Sequence, residues 1–154
     1  MGGSGGSAGT AGAAGSAGSG GSGVGLKLTL NHANAIYAPG DAIVVSFTGG
    51  PGTHVKDWIT IYEDSPNANS PSAMSAPLNW AYVNTSTQTA GATMPMSGMV
   101  TLDQTTKGTG ANAYWPLFKP KGPNNPAGLP SQYTAYYLQN DGFTILGQVS
   151  FTVQ

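Results

Sequence analysis

Two histidines and six carboxylates are the side chains with the chemistry for acid–base catalysis or metal binding. His32 and His54 lie beside polar loops, and neither has the H-x-H or H-E-x-x-H spacing that directs two imidazoles to one metal. Within residues 24–154 no Gly-x-Ser-x-Gly segment exposes a serine nucleophile. We therefore predict surface histidines, no catalytic residue, no metal ion and no cofactor.

The carboxylates also lack the pairing that hydrolytic chemistry needs across a cleft. They are Asp41, Asp57, Glu63, Asp64, Asp103 and Asp141. Only Glu63 and Asp64, close to Asn67 and Asn69, gather several oxygen ligands of the kind calcium prefers. Because the Asp-x-Asp-x-Asp-Gly pattern of calcium loops is missing, a solvated loop is favoured over a calcium site.

Aromatic side chains are the stronger indication of function. Tyr114, Trp115 and Phe118 occur in a 29-residue connection, 103–131, which five prolines stiffen. Connections of this length are usually functional or disordered. Two interpretations remain open: the three residues pack back onto the domain and cover a sheet edge, or they offer a flat platform to sugar rings or a partner surface. The strand aromatics are predicted to be core or sheet-face residues: Trp58, Tyr62, Tyr133 and Tyr137.

Composition excludes several classes of protein. Of 154 residues only 7% are charged, with five lysines, no arginine, six acidic residues and a net charge of −1. An ordinary soluble domain carries about 25% charged residues. Five scattered lysines cannot neutralise a row of phosphates, so nucleic acid is not an expected partner. No apolar run reaches the ~20 residues of a membrane helix, and without cysteine there is no disulfide or thiolate site.

Residues 1–23 differ from the remainder because they contain almost only Gly, Ser and Ala, with Gly at every third position from 3 to 21. Such a segment cannot form a core, so a flexible tether is predicted. An ordered, packed Gly-rich helix and a cloning linker are the alternatives. The composition resembles the tethers that follow the lipidated cysteine of bacterial surface lipoproteins, which implies a lipid anchor upstream of the given chain.

Residues 24–154 show the period-2 alternation of β-strands. Leu26, Leu28 and Leu30 alternate with polar residues, and Ile43, Val45 and Phe47 recur at every second position of 43–47. Turn signals separate about seven such segments, the clearest being Asn140-Asp141-Gly142 before the last strand. The pattern predicts one all-β domain, an immunoglobulin-like antiparallel β-sandwich of about seven strands. A jelly roll or a small barrel is the alternative.

Five segments resemble SKICH-type sandwiches and the related immunoglobulin-like domains found beside secreted metallophosphatases. They are 37–41 (YAPGD), 43–47 (IVVSF), 57–62 (DWITIY), 133–142 (YTAYYLQNDG) and 149–153 (VSFTV). The loops 63–79 and 103–131 are longer and richer in Pro and Asn than that pattern. The resemblance implies an accessory, non-catalytic module, and it brings no catalytic residues.

Three functional hypotheses follow from these observations. The first is a non-enzymatic, extracellular or cell-surface interaction module that its Gly-rich tether spaces from an anchor or partner. The second is a structural subunit that assembles into an extracellular fibre through strand edges and the Gly-rich arm. The third is a carbohydrate-binding module that uses the loop aromatics Tyr114, Trp115 and Phe118. The expected partners are accordingly another protein, a second copy or a polysaccharide.

Overall fold

A computed structural model describes residues 25–64, 71–72, 76–108, 115–117 and 131–154. In these residues the chain forms eight strands and no helix, and hence no helix with the length and apolar character to cross a bilayer. The strands are β1 (Lys27–Leu30), β2 (Ile36–Tyr37), β3 (Ile43–Thr48), β4 (Trp58–Glu63), β5 (Asn79–Tyr82), β6 (Ser97–Leu102), β7 (Ser131–Leu138) and β8 (Ile145–Val153). The all-β prediction is confirmed.

The strands form two sheets that face each other in a sandwich. One sheet has the order β1-β3-β6 and the other has the order β2-β8-β7-β4-β5. All neighbours are antiparallel except β2 and β8, which run parallel over two residues. The β8-β7-β4 order corresponds to the G-F-C sheet of immunoglobulin domains, so the predicted immunoglobulin-like sandwich is confirmed. The strand that the sequence does not predict is β2, whose two residues are too few to show an alternating pattern.

Alternating side chains from both sheets fill the core. In β3 the buried residues are Ile43, Val45 and Phe47, as the alternation predicted. From the opposite sheet, Ile59 and Ile61 of β4 enter the same cluster. Burying one large apolar side chain contributes about 1.5–3 kcal/mol, so a cluster of this kind stabilises the domain without disulfides.

A tight hairpin turn joins β7 to β8. Asn140 and Asp141 both have positive φ, 49° and 56°, and the N–H of Gly142 donates to the carbonyl of Gln139 over 2.8 Å. Positive φ at both central residues is what a two-residue type I′ turn requires, and Asn and Asp tolerate it. The predicted hairpin is present, but its left-handed residues come one position earlier than the expected Asp141-Gly142 pair.

A bulge interrupts the pairing of the last two strands. Tyr137 lies opposite Gly147 while Leu138 lies opposite Ile145, which leaves Leu146 as an extra residue on β8. A Cβ at Gly147 would approach the side chain of Leu26 to 3.0 Å. The sequence predicted a bulge or a close approach at Gly147, and the close approach is found there with the extra residue beside it.

Gly49 is a position where the fold requires glycine, and Gly49→Ala is expected to lower the free energy of unfolding by about 2 kcal/mol. Its φ is +70°, and a Cβ would collide with the backbone carbonyl of Gly25. Urea unfolding measures the change. Gly50→Ala is the control, because a Cβ there meets only ordinary contacts at 3.4–3.5 Å. Equal effects of the two substitutions would contradict this explanation.

Candidate functional site

The five-stranded sheet turns one face to the core, and aromatic side chains gather on its other face. Because Ile59 and Ile61 point into the core, Trp58 and Tyr62 of the same strand lie on the outer face. The strand register places Tyr82 of β5 directly opposite Trp58. Paired residues share a face, so neighbouring strands bring these large rings together.

A shallow cleft of about 270 Å³ opens on this outer face, at the corner where β4, β5 and the β7–β8 turn meet. We call it the aromatic cleft; its lining residues are Trp58, Pro77, Trp80, Tyr82, Asp141 and Phe143. The ring of Trp58 lies 5.9 Å from those of Trp80 and Phe143, with both interplanar angles 82°. Trp80 meets Tyr82 at 5.4 Å and 88°. Such edge-to-face pairs add about 0.5–1.5 kcal/mol beyond burial, so the rings fix one another's positions.

Trp58 and the other three rings have different exposures. Trp58 is only 7% exposed, and its indole Nε1–H donates to the carbonyl of Gly142 over 3.1 Å. Trp80, Tyr82 and Phe143 are half-buried and keep part of their surface open to solvent. Trp58 therefore forms the floor of the cleft, and the other three rings are the walls that a ligand would touch.

A polar network forms the rim of the aromatic cleft at Asp141. The Tyr82 hydroxyl donates to Asp141 Oδ1 over 2.6 Å, and the Lys56 ammonium group lies 2.8 Å from Oδ2. The N–H of Asp141 also donates to the carbonyl of Lys56. Both members of the ion pair are about half exposed, so the pair contributes less than about 1 kcal/mol to stability. Its effect is to hold a charged donor and a charged acceptor beside the rings.

The pKa values at the rim follow from these contacts. Burial by itself raises the pKa of Asp141, but the hydrogen bonds from Lys56 and Tyr82 and the ammonium charge outweigh it, so the pKa is lowered. Burial, followed by the hydrogen bond to Asp141, raises the pKa of Tyr82 to about 12. At neutral pH Asp141 is therefore a carboxylate and Tyr82 a protonated phenol.

Asp57 supports the turn that carries this rim. Its side chain is buried, its Oδ1 accepts the N–H of Asn140 over 3.0 Å, and its Oδ2 accepts the hydroxyl of Tyr137 over 3.2 Å. His54 Nδ1 lies 3.9 Å from Oδ1. Burial raises the pKa of Asp57, and the two hydrogen bonds and the charge of His54 partly oppose this rise. The network links the start of β4 to the β7–β8 turn.

The histidines occupy separate places in the structure. His32 stacks on Tyr37, with ring centroids 4.2 Å apart, and its Nδ1 is 2.7 Å from the carbonyl of Ile36. His54 contacts Thr53 and Gln139 as well as Asp57. In the described part of the chain no three His, Cys, Asp or Glu side chains converge in a way that would hold a metal ion.

The structure places one of the three predicted binding residues. Trp115 is half-buried and packs against the core cluster, next to the fully buried Leu117. Tyr114 and Phe118 lie outside the described residues. Of the oxygen-rich segment, Glu63 and Asp64 are described, and the N–H of Asp64 donates to the carbonyl of Gln132. The asparagines proposed to accompany them, at 67 and 69, lie outside the described residues.

Sequence reasoning missed the aromatic cleft. The sequence predicts a core or sheet-face position for Trp58 and does not single out Trp80, Tyr82 or Phe143. The spacing of Trp80 and Tyr82, two residues apart in one strand, does show that both point to the same face. The sequence does not show which face of the sheet this is. It also does not show that Trp58 lies opposite Tyr82, because both points depend on strand pairing.

Comparisons of the chain with protein-family models, with curated proteins and with solved structures found no match.

Proposed function

We propose that this chain is a non-catalytic accessory module that binds carbohydrate through the aromatic cleft. The observation that carries the proposal is the combination of three solvent-accessible aromatic walls with a charged donor–acceptor pair, Lys56 and Asp141, at the rim. Ligand sites are typically apolar concavities with a few polar groups that fix orientation. The aromatic cleft has this composition on a small scale.

The chemistry of a pyranose ring matches both parts of the site. One face of such a ring presents C–H groups, which pack on aromatic surfaces, while its hydroxyl groups both donate and accept hydrogen bonds. Trp80 and Phe143 supply apolar ring surface, Asp141 supplies an acceptor and Lys56 a donor. A cleft of about 270 Å³ is at the small end for ligand sites, so it suits one sugar ring rather than a long buried segment.

A quaternary ammonium group is the other ligand class that aromatic clusters bind. The electrostatics here favour a neutral ligand, because the ammonium group of Lys56 already neutralises the carboxylate of Asp141 at 2.8 Å. A cationic ligand would compete with Lys56 for that carboxylate, whereas a sugar would use both partners. The ion pair therefore favours carbohydrate.

The surroundings of the module are part of the proposal. The Gly-rich segment 1–23 would space it from an anchor or a partner domain at the cell surface or outside the cell, and the resemblance to SKICH-type sandwiches supports an accessory role. A coil of 23 residues has a root-mean-square span of about 25–30 Å. That span would let the aromatic cleft reach a glycan beyond its attachment point.

Trp80→Ala is expected to weaken binding to a neutral oligosaccharide at least about tenfold, because it removes the largest of the three wall rings. The test is isothermal titration calorimetry against hexose, pentose and N-acetylhexosamine oligosaccharides, with choline as the cationic probe. Trp115→Ala is the matched control, since Trp115 does not line the aromatic cleft.

Three outcomes would contradict the proposal. Absence of binding to every oligosaccharide would remove it, and so would binding to choline alone. Loss of binding in Trp115→Ala but not in Trp80→Ala would assign the sugar to the 103–131 connection instead.

A further inference from the structure

Strand β6 forms an edge of the three-stranded sheet, and half of its backbone groups point away from that sheet. The N–H of Asn31 donates to the carbonyl of Val44, so Val44 faces β1 and its neighbour Val45 faces β6. Val45 lies opposite Val100. Because successive residues of a strand direct their hydrogen-bonding groups to opposite sides, Ser97 and Met99 direct theirs outward.

Thr101, the third outward residue, has a local partner. Its N–H donates to the hydroxyl oxygen of Ser86 over 2.7 Å. Among the residues the structure describes, no hydrogen bond reaches the outward N–H and C=O groups of Ser97 and Met99. The first half of β6 is therefore an unpaired edge that ends where Ser86 covers it.

The other sheet edges are short or covered. On β5, the N–H of Trp80 donates to the carbonyl of Thr106 and the N–H of Tyr82 to that of Thr87. Strand β2 has two residues, and β1 has four and carries Lys27. Short, charged or covered edges resist pairing with another chain. The first half of β6 carries no charge, and no described segment covers it.

Exposed methionines lie along and beside the same edge. Met94, Met96 and Met99 are 48%, 63% and 67% exposed. No charged residue occurs in 65–102, so two copies of this surface would approach without like-charge repulsion. Apolar side chains and unpaired backbone on one uncharged strand are the features of an interaction surface.

We propose that a second copy of this chain pairs with this edge, β6 antiparallel to β6, about a two-fold axis at Gly98. Ser97 would exchange two backbone hydrogen bonds with Met99 of the partner subunit, and the symmetry repeats them, giving four in total. The pairing uses the same patch twice, so it closes as a dimer instead of growing into a fibre. It involves the sheet opposite the aromatic cleft and does not depend on the carbohydrate proposal.

The register explains why a second copy fits better than an unrelated strand. The unpaired edge consists of two residues, one on each side of Gly98. A two-fold axis at Gly98 therefore pairs the four outward groups of one copy with the four of the other. Ser86 limits the length of the edge, and a longer foreign strand would meet it at Thr101. Residue 98 faces the core, where a Cβ would meet the ring of Phe47 at 3.1 Å, so no side chain at the axis lies on the outer face.

The test is sedimentation equilibrium of the whole chain and of two lysine variants up to about 1 mM. Wild type is expected to form a dimer, and Met99→Lys to weaken the association at least tenfold, because it places two ammonium groups near the axis. Ile36→Lys, which places a lysine at an exposed apolar residue of the other sheet, is expected to leave the association constant unchanged. A wild-type monomer throughout, an open polymer, or equal effects of both variants would overturn the proposal.

A cross-linking experiment tests the register separately, since the chain has no cysteine of its own. Ser97→Cys mixed with Met99→Cys should form a disulfide-linked dimer under oxidation several times faster than either variant alone. Equal rates in all three samples would overturn the register. Slow amide exchange at Ser97 and Met99 in a monomer would show that a segment of the same chain covers the edge, which also overturns the proposal.

Discussion

Replacing Asp57 with alanine is expected to lower the free energy of unfolding by about 3 kcal/mol. The substitution removes the acceptor for the buried hydroxyl of Tyr137 and for the N–H of Asn140. A buried donor left without a partner costs about 1–3 kcal/mol, and hydrogen bonds to a charged group contribute about 1.5–3 kcal/mol each. Urea unfolding followed by tryptophan fluorescence measures the loss.

Asp57→Asn is the matched control because it keeps an oxygen for Asn140 and a polar group for Tyr137. We expect it to cost about 1 kcal/mol. Adding Tyr137→Phe to Asp57→Ala should cost less than the sum of the two single changes, since it removes the unpaired donor as well. Equal losses for alanine and asparagine at position 57 would show that packing, not hydrogen bonding, sets the effect.

The same carboxyl group predicts a pH dependence. Burial raises the pKa of Asp57 in the folded protein, so the folded state holds this proton more tightly than the unfolded chain. As the pH rises above about 4, the unfolded chain releases the proton first. The stability contributed by Asp57 therefore falls until the folded state has titrated too.

The difference between wild type and Asp57→Asn isolates that dependence. Asp141 contributes in the opposite direction, because its pKa is lowered in the folded state. It is present in both proteins, however, and cancels in the comparison. The stability of wild type relative to Asp57→Asn is expected to fall as the pH rises above 4, and a constant difference across that range would contradict the assignment.

Trp58→Ala is expected to lower the free energy of unfolding by about 3–5 kcal/mol. Trp58 is almost fully buried and supports the rings of Trp80 and Phe143 from below. Removing it takes away a large apolar surface and leaves a void under the aromatic cleft. Urea unfolding and near-ultraviolet circular dichroism report the loss of stability and of ring order.

Two comparisons separate the causes of that loss. Trp58→Phe keeps an aromatic ring but loses the hydrogen bond to Gly142, and should cost about 1–2 kcal/mol. Trp80→Ala removes a half-exposed ring, so it should cost clearly less than Trp58→Ala while still weakening oligosaccharide binding. A loss below about 1 kcal/mol for Trp58→Ala would show that the floor of the cleft is not structural.

Much of the fold could be predicted from the sequence because strand periodicity is local. The alternation of Ile43, Val45 and Phe47 identifies a strand and its buried face without any knowledge of its neighbours. Strand β2 could not be predicted, because two residues are too few to show the alternation of buried and exposed side chains. The exact turn residues at Asn140 and Asp141 depend on where β7 ends, and a bulge elsewhere in the pair shifts that register.

The aromatic cleft was harder to predict because it combines residues from distant positions in the chain. Trp58, Tyr82 and Asp141 come together only through the β4–β5 pairing and the hydrogen bonds of the β7–β8 turn. The sequence instead predicts Tyr114, Trp115 and Phe118 as binding residues, because they lie in a long proline-rich connection. Local sequence identifies unusual segments, whereas a site on a sheet face depends on register.

The parallel contact of β2 with β8 has a mechanical consequence. The N–H groups of Thr152 and Gln154 donate to the carbonyls of Ala35 and Tyr37. A pull applied at Gly25 and at Gln154 would draw β2 and β8 in opposite directions along their own axes. Tension would then load these hydrogen bonds in shear, so all of them must break at once. Hydrogen bonds loaded in shear resist more force than the same bonds opened one after another.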